Sequence, residues 1–229
     1  MLIGNGMVAR VFSRLLKIDC KDFIFASGVS NSRCSDENQF SRESKLLVSS
    51  LEECPDTQIF LYFSTCSIYD PDAQSSPYVD HKSRMEEYVL GHPGGQVIRL
   101  PQLAGPNAPA STLISFLVSK IRAKEKIIVW ENAYRNVIDI DHAALIVNEY
   151  LLGPYSSERI INVANPYSVS VMQLVKHIEF FLGIEASINT VSRGAKYCID
   201  ISHIRPVIQS LGIAFGDNYI HNVLRKYYS

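Results

Sequence analysis

The stretch Ile59-Phe60-Leu61-Tyr62-Phe63-Ser64-Thr65-Cys66-Ser67-Ile68-Tyr69-Asp70 passes from an unbroken apolar run into a polar one, with no alternation. A strand that is apolar at successive positions is buried on both faces, as in a parallel sheet covered by helices on each side. Helical periodicity on either flank supplies the covers. Phe40, Leu46, Leu47, Val48 and Leu51 precede it and are stopped by Cys54-Pro55, and a helix from about Tyr78 to Leu90 follows and ends at Gly91. Further strands are expected at Met1 to Ile3, Asp22 to Ala26 and Gln96 to Leu100, with a helix around Met7 to Lys17. The pattern predicts an α/β protein with a Rossmann-like doubly wound parallel sheet. Ser64 and Thr65 then fall at the C-terminal end of a strand, where such sheets place their ligands.

After Gly105-Pro106-Asn107 the pattern changes. Residues 1–107 read as the Rossmann-like core, and 108–229 as interleaved core elements with a small mixed lobe for substrate. That second part carries helices near Thr112 to Ala123, Asp141 to Leu152 and Ser170 to Leu182, and strands at Lys126 to Trp130, Val137 to Ile140 and Arg159 to Val163. Among 229 residues, 22 Lys and Arg face 23 Asp and Glu, a balance that disfavours nucleic acid or an anionic membrane as partner. The five cysteines, Cys20, Cys34, Cys54, Cys66 and Cys198, form no Cys-x-x-Cys pair, so reduced thiols are expected. No signal-peptide core and no 18-residue apolar run occurs, which makes a soluble cytoplasmic protein the expectation. His81, His142, His177, His203 and His221 show no ligand spacing with carboxylates or cysteines, and no metal site is expected.

Two constellations carry chemistry. Gly4-Asn5-Gly6-Met7-Val8-Ala9 fits Gly-x-Gly-x-x-Ala between a strand and a helix. The first glycine permits the tight turn, the second lets backbone approach a pyrophosphate at the helix N-terminus, and the small third residue lets helix and strand pack closely. Tyr78-Val79-Asp80-His81-Lys82 is Tyr-x-x-x-Lys, whose i, i+4 spacing puts both side chains on one helical face. A neighbouring ammonium lowers the pKa of a phenol and suits it to proton transfer. Thr65 is placed to hydrogen-bond the same substrate oxygen. Alone, each has an ordinary explanation: a solvated helix face, or a strand-end hydrogen bond.

In this order the landmarks resemble the extended short-chain dehydrogenase/reductases, the nucleotide-sugar epimerase/dehydratase/reductase family. Phe25-Ala26-Ser27-Gly28 is similar to its loop beside the cofactor phosphates, Arg99-Leu100-Pro101 with Gly105-Pro106-Asn107 to its Arg-Leu…Gly-Pro segment, and Arg135 to Asp141 to its Arg-x-x-x-His-x-Asp strand. The resemblance implies an NAD- or NADP-dependent enzyme that binds a nucleotide sugar and forms a homodimer. Tyr78 would be the general acid/base, Thr65 the donor to the substrate oxygen, and Lys82 the ligand of the nicotinamide ribose. Gly4, Gly6, Met7, Val8, Ala9, Ala26, Ser27, Ser64, Lys82 and Pro101 would contact cofactor, and Thr65, Asn107 and Arg135 substrate. A salt bridge is the plainer role for Arg135, and Arg99 reads as structural.

Departures from the family narrow the reading. Cys66 and Ser67 stand where its 4,6-dehydratases carry an Asp-Glu pair, so epimerase or 4-keto reductase is favoured over dehydratase. Cys66 itself suits a small buried side chain. Asp139 stands in place of the His. The carboxylate expected about 20 residues after the glycines, at the end of a second strand, is missing. Asp22 to Ala26 ends instead in Ser27-Gly28-Val29-Ser30. As the true second strand it would leave Ser30, Ser32 and Arg33 to read a 2′-phosphate, but the spacing to Thr65 disfavours that and points to absence of the family's second and third strands. The strand carrying the glycine turn should therefore lie at a sheet edge. The alternative is a catalytically weak or inactive Rossmann protein that senses a dinucleotide or binds a partner.

Overall fold

A computed structural model describes residues 1–229 apart from 18, 20, 156 and 157, so Cys20 lies outside the described residues. In chain order, the first half contains β1 (Leu2–Ile3), α1 (Met7–Leu15), β2 (Phe23–Phe25), α2 (Glu37–Glu53), β3 (Phe60–Thr65), α3 (Pro77–Gly91) and β4 (Gly95–Leu100). The second half adds β5 (Gln102–Ala104), α4 (Leu113–Arg122), β6 (Ile127–Trp130), β7 (Tyr134–Asp139), α5 (Ile140–Leu152), β8 (Ile160–Asn162), β9 (Ser168–Ser170), α6 (Val171–Leu182), β10 (Ile188–Val191), α7 (Arg205–Ser210) and α8 (Tyr219–Tyr227). The main sheet is parallel throughout, in the order β1-β2-β3-β4-β8.

All six residues of β3 are buried. Their alternating faces feed two cores, as the strand period requires. Ile24, Leu61 and Phe63 pack with Val11 and Phe12 of α1 and with α5, while Phe23, Phe25, Phe60 and Tyr62 pack with Leu47 of α2 and Met85 and Val89 of α3. Phe12 meets Phe63 edge-on at 4.5 Å, a pair worth about 0.5–1.5 kcal/mol beyond its burial. Helix starts are fixed by capping. Asp36 accepts from the Asn38 amide ahead of α2, and Ser76 accepts from the Val79 amide with Pro77 in the first turn of α3. The second cap sets the rotation of α3 and with it the positions of Tyr78 and Lys82.

Among the described residues β1 pairs only with β2, so the glycine-turn strand is a sheet edge. In the doubly wound order 3-2-1-4-5-6 the first strand is central. Here, among the described residues, no strands lie on its far side. The shortened sheet has a topological consequence. The crossovers β1–α1–β2 and β2–α2–β3 step in the same direction, yet α1 and α2 lie on opposite faces, so their hands are opposite. About 98% of such crossovers are right-handed. Helix α1 keeps the face it would have when leading to a strand on the far side, and leads instead to β2. The left-handed one is therefore β1–α1–β2.

The second half adds a three-stranded sheet, β5-β7-β9, and a parallel pair, β6 and β10. These strands of three to six residues refine the expected mixed lobe. Asp139, at the position of the family's His, caps α5 by accepting from the Asp141 amide. It also accepts from Lys226 Nζ at 2.8 Å and the Tyr227 hydroxyl at 2.7 Å, which fastens α8 to the body. No helix among the described residues is long and apolar enough to cross a membrane.

Candidate active site

The C-terminal ends of β1, β2, β3 and β4 open onto a cavity of about 230 Å³. Of the residues singled out from the sequence, Gly6, Met7, Val8, Ala26, Ser64, Thr65, Tyr78, Lys82 and Pro101 line it. Gly4, Ala9, Ser27, Asn107 and Arg135 do not. Gly4 makes the turn at φ +124°, and a Cβ there would lie 2.4 Å from the Ala26 carbonyl oxygen. Ala9 is fully buried in the packing of α1 on the sheet. Gly6 has extended backbone that any residue adopts, and nothing lies within 4 Å of where its Cβ would stand. Its contribution is open space at the start of α1, which has no side-chain cap. The first-turn amides of α1 are thus left for a ligand.

Tyr78 is buried, and burial pushes its phenol well above the ordinary value, with the Thr65 side chain opposing. The phenol therefore holds its proton at neutral pH. The Thr65 hydroxyl donates to the Ser67 hydroxyl at 3.0 Å and accepts from the Ser67 amide. Two hydroxyls, Thr65 and Ser67, thus stand beside Tyr78 on the cavity wall. The Cys66 thiol is turned inward onto the Arg99 carbonyl, and burial drives its pKa up, which favours the protonated thiol.

Lys82 is buried and charge-paired within the protein. Its ammonium donates to Glu43 Oε1 at 3.0 Å, the Tyr62 hydroxyl at 3.0 Å and the Phe63 carbonyl at 3.4 Å. Burial lowers its pKa and Glu43 opposes the fall. Sequence reasoning missed Glu43. Its signal was there: Phe40, Glu43, Leu47 and Ser50 form the buried stripe of α2, and a carboxylate on an apolar stripe has a partner. Burial resists ionisation of Glu43, but Lys82, His81, the Val29 amide and Tyr62 outweigh it and hold the carboxyl far below its ordinary value.

Ser64 lines the cavity, but its hydroxyl donates to Glu86, which also takes a bidentate contact from Arg99. Arg99 is structural, as its strand-end position suggested. Ser27 is held by Arg42 through both its hydroxyl and its carbonyl. Arg135 forms a part-buried ion pair with Asp70 at 3.2 Å. Tyr197 lies by this pair, its phenol pushed up by burial to about 12 with Arg135 opposing. Asn107, at φ +52°, sits in the turn after β5. The cavity wall also includes Gly28, Val29, Ser30 and Ser32 from the loop after β2, the two serines being those of the 2′-phosphate alternative, and Ser111 and Thr112 ahead of α4, hydroxyl groups that no motif flagged.

No protein family and no curated protein matches the chain by sequence. Solved structures do match in fold. The chain is similar to UDP-glucuronic acid 4-epimerase from Bacillus cereus in complex with UDP-glucuronic acid and NAD, with TM-score 0.70 and 16% identity over 97% of this chain and 80% of that one. It is similar to dTDP-glucose 4,6-dehydratase from Bacillus anthracis in complex with NAD, with TM-score 0.69 and 12% identity over 90% and 71%. UDP-glucose 4-epimerase from Thermus thermophilus in complex with NAD gives TM-score 0.68 and 15% identity over 94% and 79%. At these identities the likeness is one of architecture: the chain has the fold of the NAD-dependent nucleotide-sugar epimerases and dehydratases, on a sheet that starts at β1.

Proposed function

We propose that this protein is an NAD- or NADP-dependent enzyme that epimerises, or reduces at a keto carbon, the sugar of a nucleotide-activated sugar. The observation that carries this reading is convergence. Thr65, Tyr78 and Lys82 meet the uncapped start of α1 on one cavity at the C-terminal edge of a parallel sheet.

The residues present fit two parts of a dinucleotide. The amides of Gly6, Met7 and Val8, with the open space over Gly6, suit a pyrophosphate, and Lys82 suits the nicotinamide ribose. Among the described residues no carboxylate lines the cavity to hold the adenosine ribose. The nicotinamide, when bound, supplies or accepts the hydride. The chain's own part is to move a proton and fix the sugar. Tyr78, protonated at neutral pH, donates to a sugar carbonyl oxygen, and the tyrosinate so formed takes back a hydroxyl proton in the reverse direction. Thr65 and Ser67 orient that oxygen. Arg135 and Asn107 are assigned to the nucleotide diphosphate, with Arg135 exchanging Asp70 for phosphate oxygens. Dehydration is set aside because Cys66 and Ser67 offer no carboxylate pair, and a buried thiol kept protonated supplies no base. The homodimer is assigned to α2 and α3, the helices that match the pairing helices of the family.

The test is turnover of a panel of nucleotide sugars and 4-keto nucleotide sugars with NAD(H) and NADP(H). Reduction consumes reduced cofactor stoichiometrically, whereas epimerisation leaves it unchanged. Tight cofactor binding with no conversion of any member would move the protein to the sensor reading.

A further inference from the structure

The mechanism leaves Glu43 without a role, although it is fully buried and touches three segments of the site, α3, β3 and the loop after β2. One carboxylate oxygen takes Lys82 Nζ at 3.0 Å and the Tyr62 hydroxyl at 2.7 Å; the other takes the Val29 amide at 2.6 Å and lies 3.0 Å from His81 Nε2. Val29 and Gly28 belong to the loop that walls the cavity. A Cβ on Gly28 would come within 2.5 Å of Lys82 Nζ and 2.9 Å of Glu43 Oε1, so the loop closes directly over the ion pair. An ammonium has three donors. Glu43 and Tyr62, neither of which lines the cavity, take two at 3.0 Å, and the third makes only the 3.4 Å contact to the Phe63 carbonyl. That third donor is the one free to exchange its partner for a ligand in the cavity.

We propose that Glu43 is a positioning residue: it holds Lys82 as an ammonium with one donor presented to the cavity, and through Val29 it seats the loop that covers the same ligand. The proposal rests on the dinucleotide reading of the cavity. The groups facing Lys82 are Glu43 from α2, Tyr62 from β3 and Glu86 from its own helix, with His81 behind Glu43 and Tyr78 on the same cavity wall. Glu86 is bound to Arg99 and Ser64, which leaves Glu43 as the counter-charge in contact with the ammonium. Without it, burial favours the neutral amine, and the ammonium is lost at lower pH.

The experiment measures NADH binding by fluorescence across pH for the wild type, Glu43→Gln and Glu43→Asp. Glu43→Gln should lose NADH affinity as pH rises, with a midpoint lower than that of the wild type by about one pH unit or more. Glu43→Asp keeps the charge but withdraws it, and should weaken binding about tenfold with the wild-type pH shape. A Glu43→Gln curve parallel to the wild type at every pH overturns the proposal, since a merely structural loss is independent of pH. Wild-type affinity in Glu43→Asp overturns it also. If the wild type binds neither NADH nor NADPH, the dinucleotide reading fails. The positioning role is then decided by NMR titration of the Lys82 side chain, whose pKa should fall in Glu43→Gln and, if unchanged, contradicts it. Failure of Glu43→Gln to fold leaves Glu43→Asp to decide.

Discussion

Arg135 and Asp70 show how a single contact divides two roles. A guanidinium already paired at 3.2 Å to a carboxylate can take a phosphate only by exchange. Arg135→Ala should raise KM for the nucleotide sugar by about thirtyfold, the equivalent of about 2 kcal/mol for a charge-assisted contact. Asp70→Asn should lower the same KM, because the competitor is gone. Steady-state kinetics on both variants check this, and unchanged KM in each would reduce Arg135 to a salt bridge. Thr65, Tyr78 and Lys82 were legible in the sequence because their spacing and order are constrained by one strand end and one helix turn. The partners of Lys82 were not. Glu43 lies 39 residues away, and only the folded α2 brings it to the ammonium. Burial raises the Tyr78 phenol, and Glu43, the partner of Lys82, adds to the rise.

Between β1 and α1, a two-residue strand and one glycine carry the turn that opens the cavity. Gly4→Ala would force a side chain into φ +124° and against the Ala26 carbonyl. A loss of about 1–3 kcal/mol or more is expected in denaturant unfolding, together with faster hydrogen exchange in β1 and α1 than in β3 and β4. Stability equal to the wild type would mean that the turn tolerates another conformation. The same substitution at Gly6 meets open space, so its cost should fall on ligand binding instead. Elements with strong periodicity, such as α2, α3, α5 and α6, were readable because capping and apolar stripes agree. The strands β5, β9 and β10 were not, since segments of three or four residues are defined by distant pairing partners rather than by pattern.

Across the whole molecule, the loss of two strands was readable from a spacing: too few residues separate the glycine turn from Thr65. The reversed hand of β1–α1–β2 was not, because an apolar stripe on α1 does not say which face of the sheet it covers. With β1 at the edge, the adenosine end of a dinucleotide has, among the described residues, no wall from further strands and no carboxylate in the cavity lining. Recognition then leans on the pyrophosphate and nicotinamide ends. NAD(H) and NADP(H) should bind within about tenfold of one another, a gap of about 1.4 kcal/mol, as read by titration with each; a strong preference set by a carboxylate on the ribose would contradict the shortened-sheet account. The most direct measurement compares wild type and Tyr78→Phe for cofactor affinity and for conversion of the nucleotide-sugar panel. The expected result is unchanged cofactor affinity with turnover lower by about two to four decades, the scale of a lost general acid/base. Conversion by Tyr78→Phe at the wild-type rate would contradict the central claim.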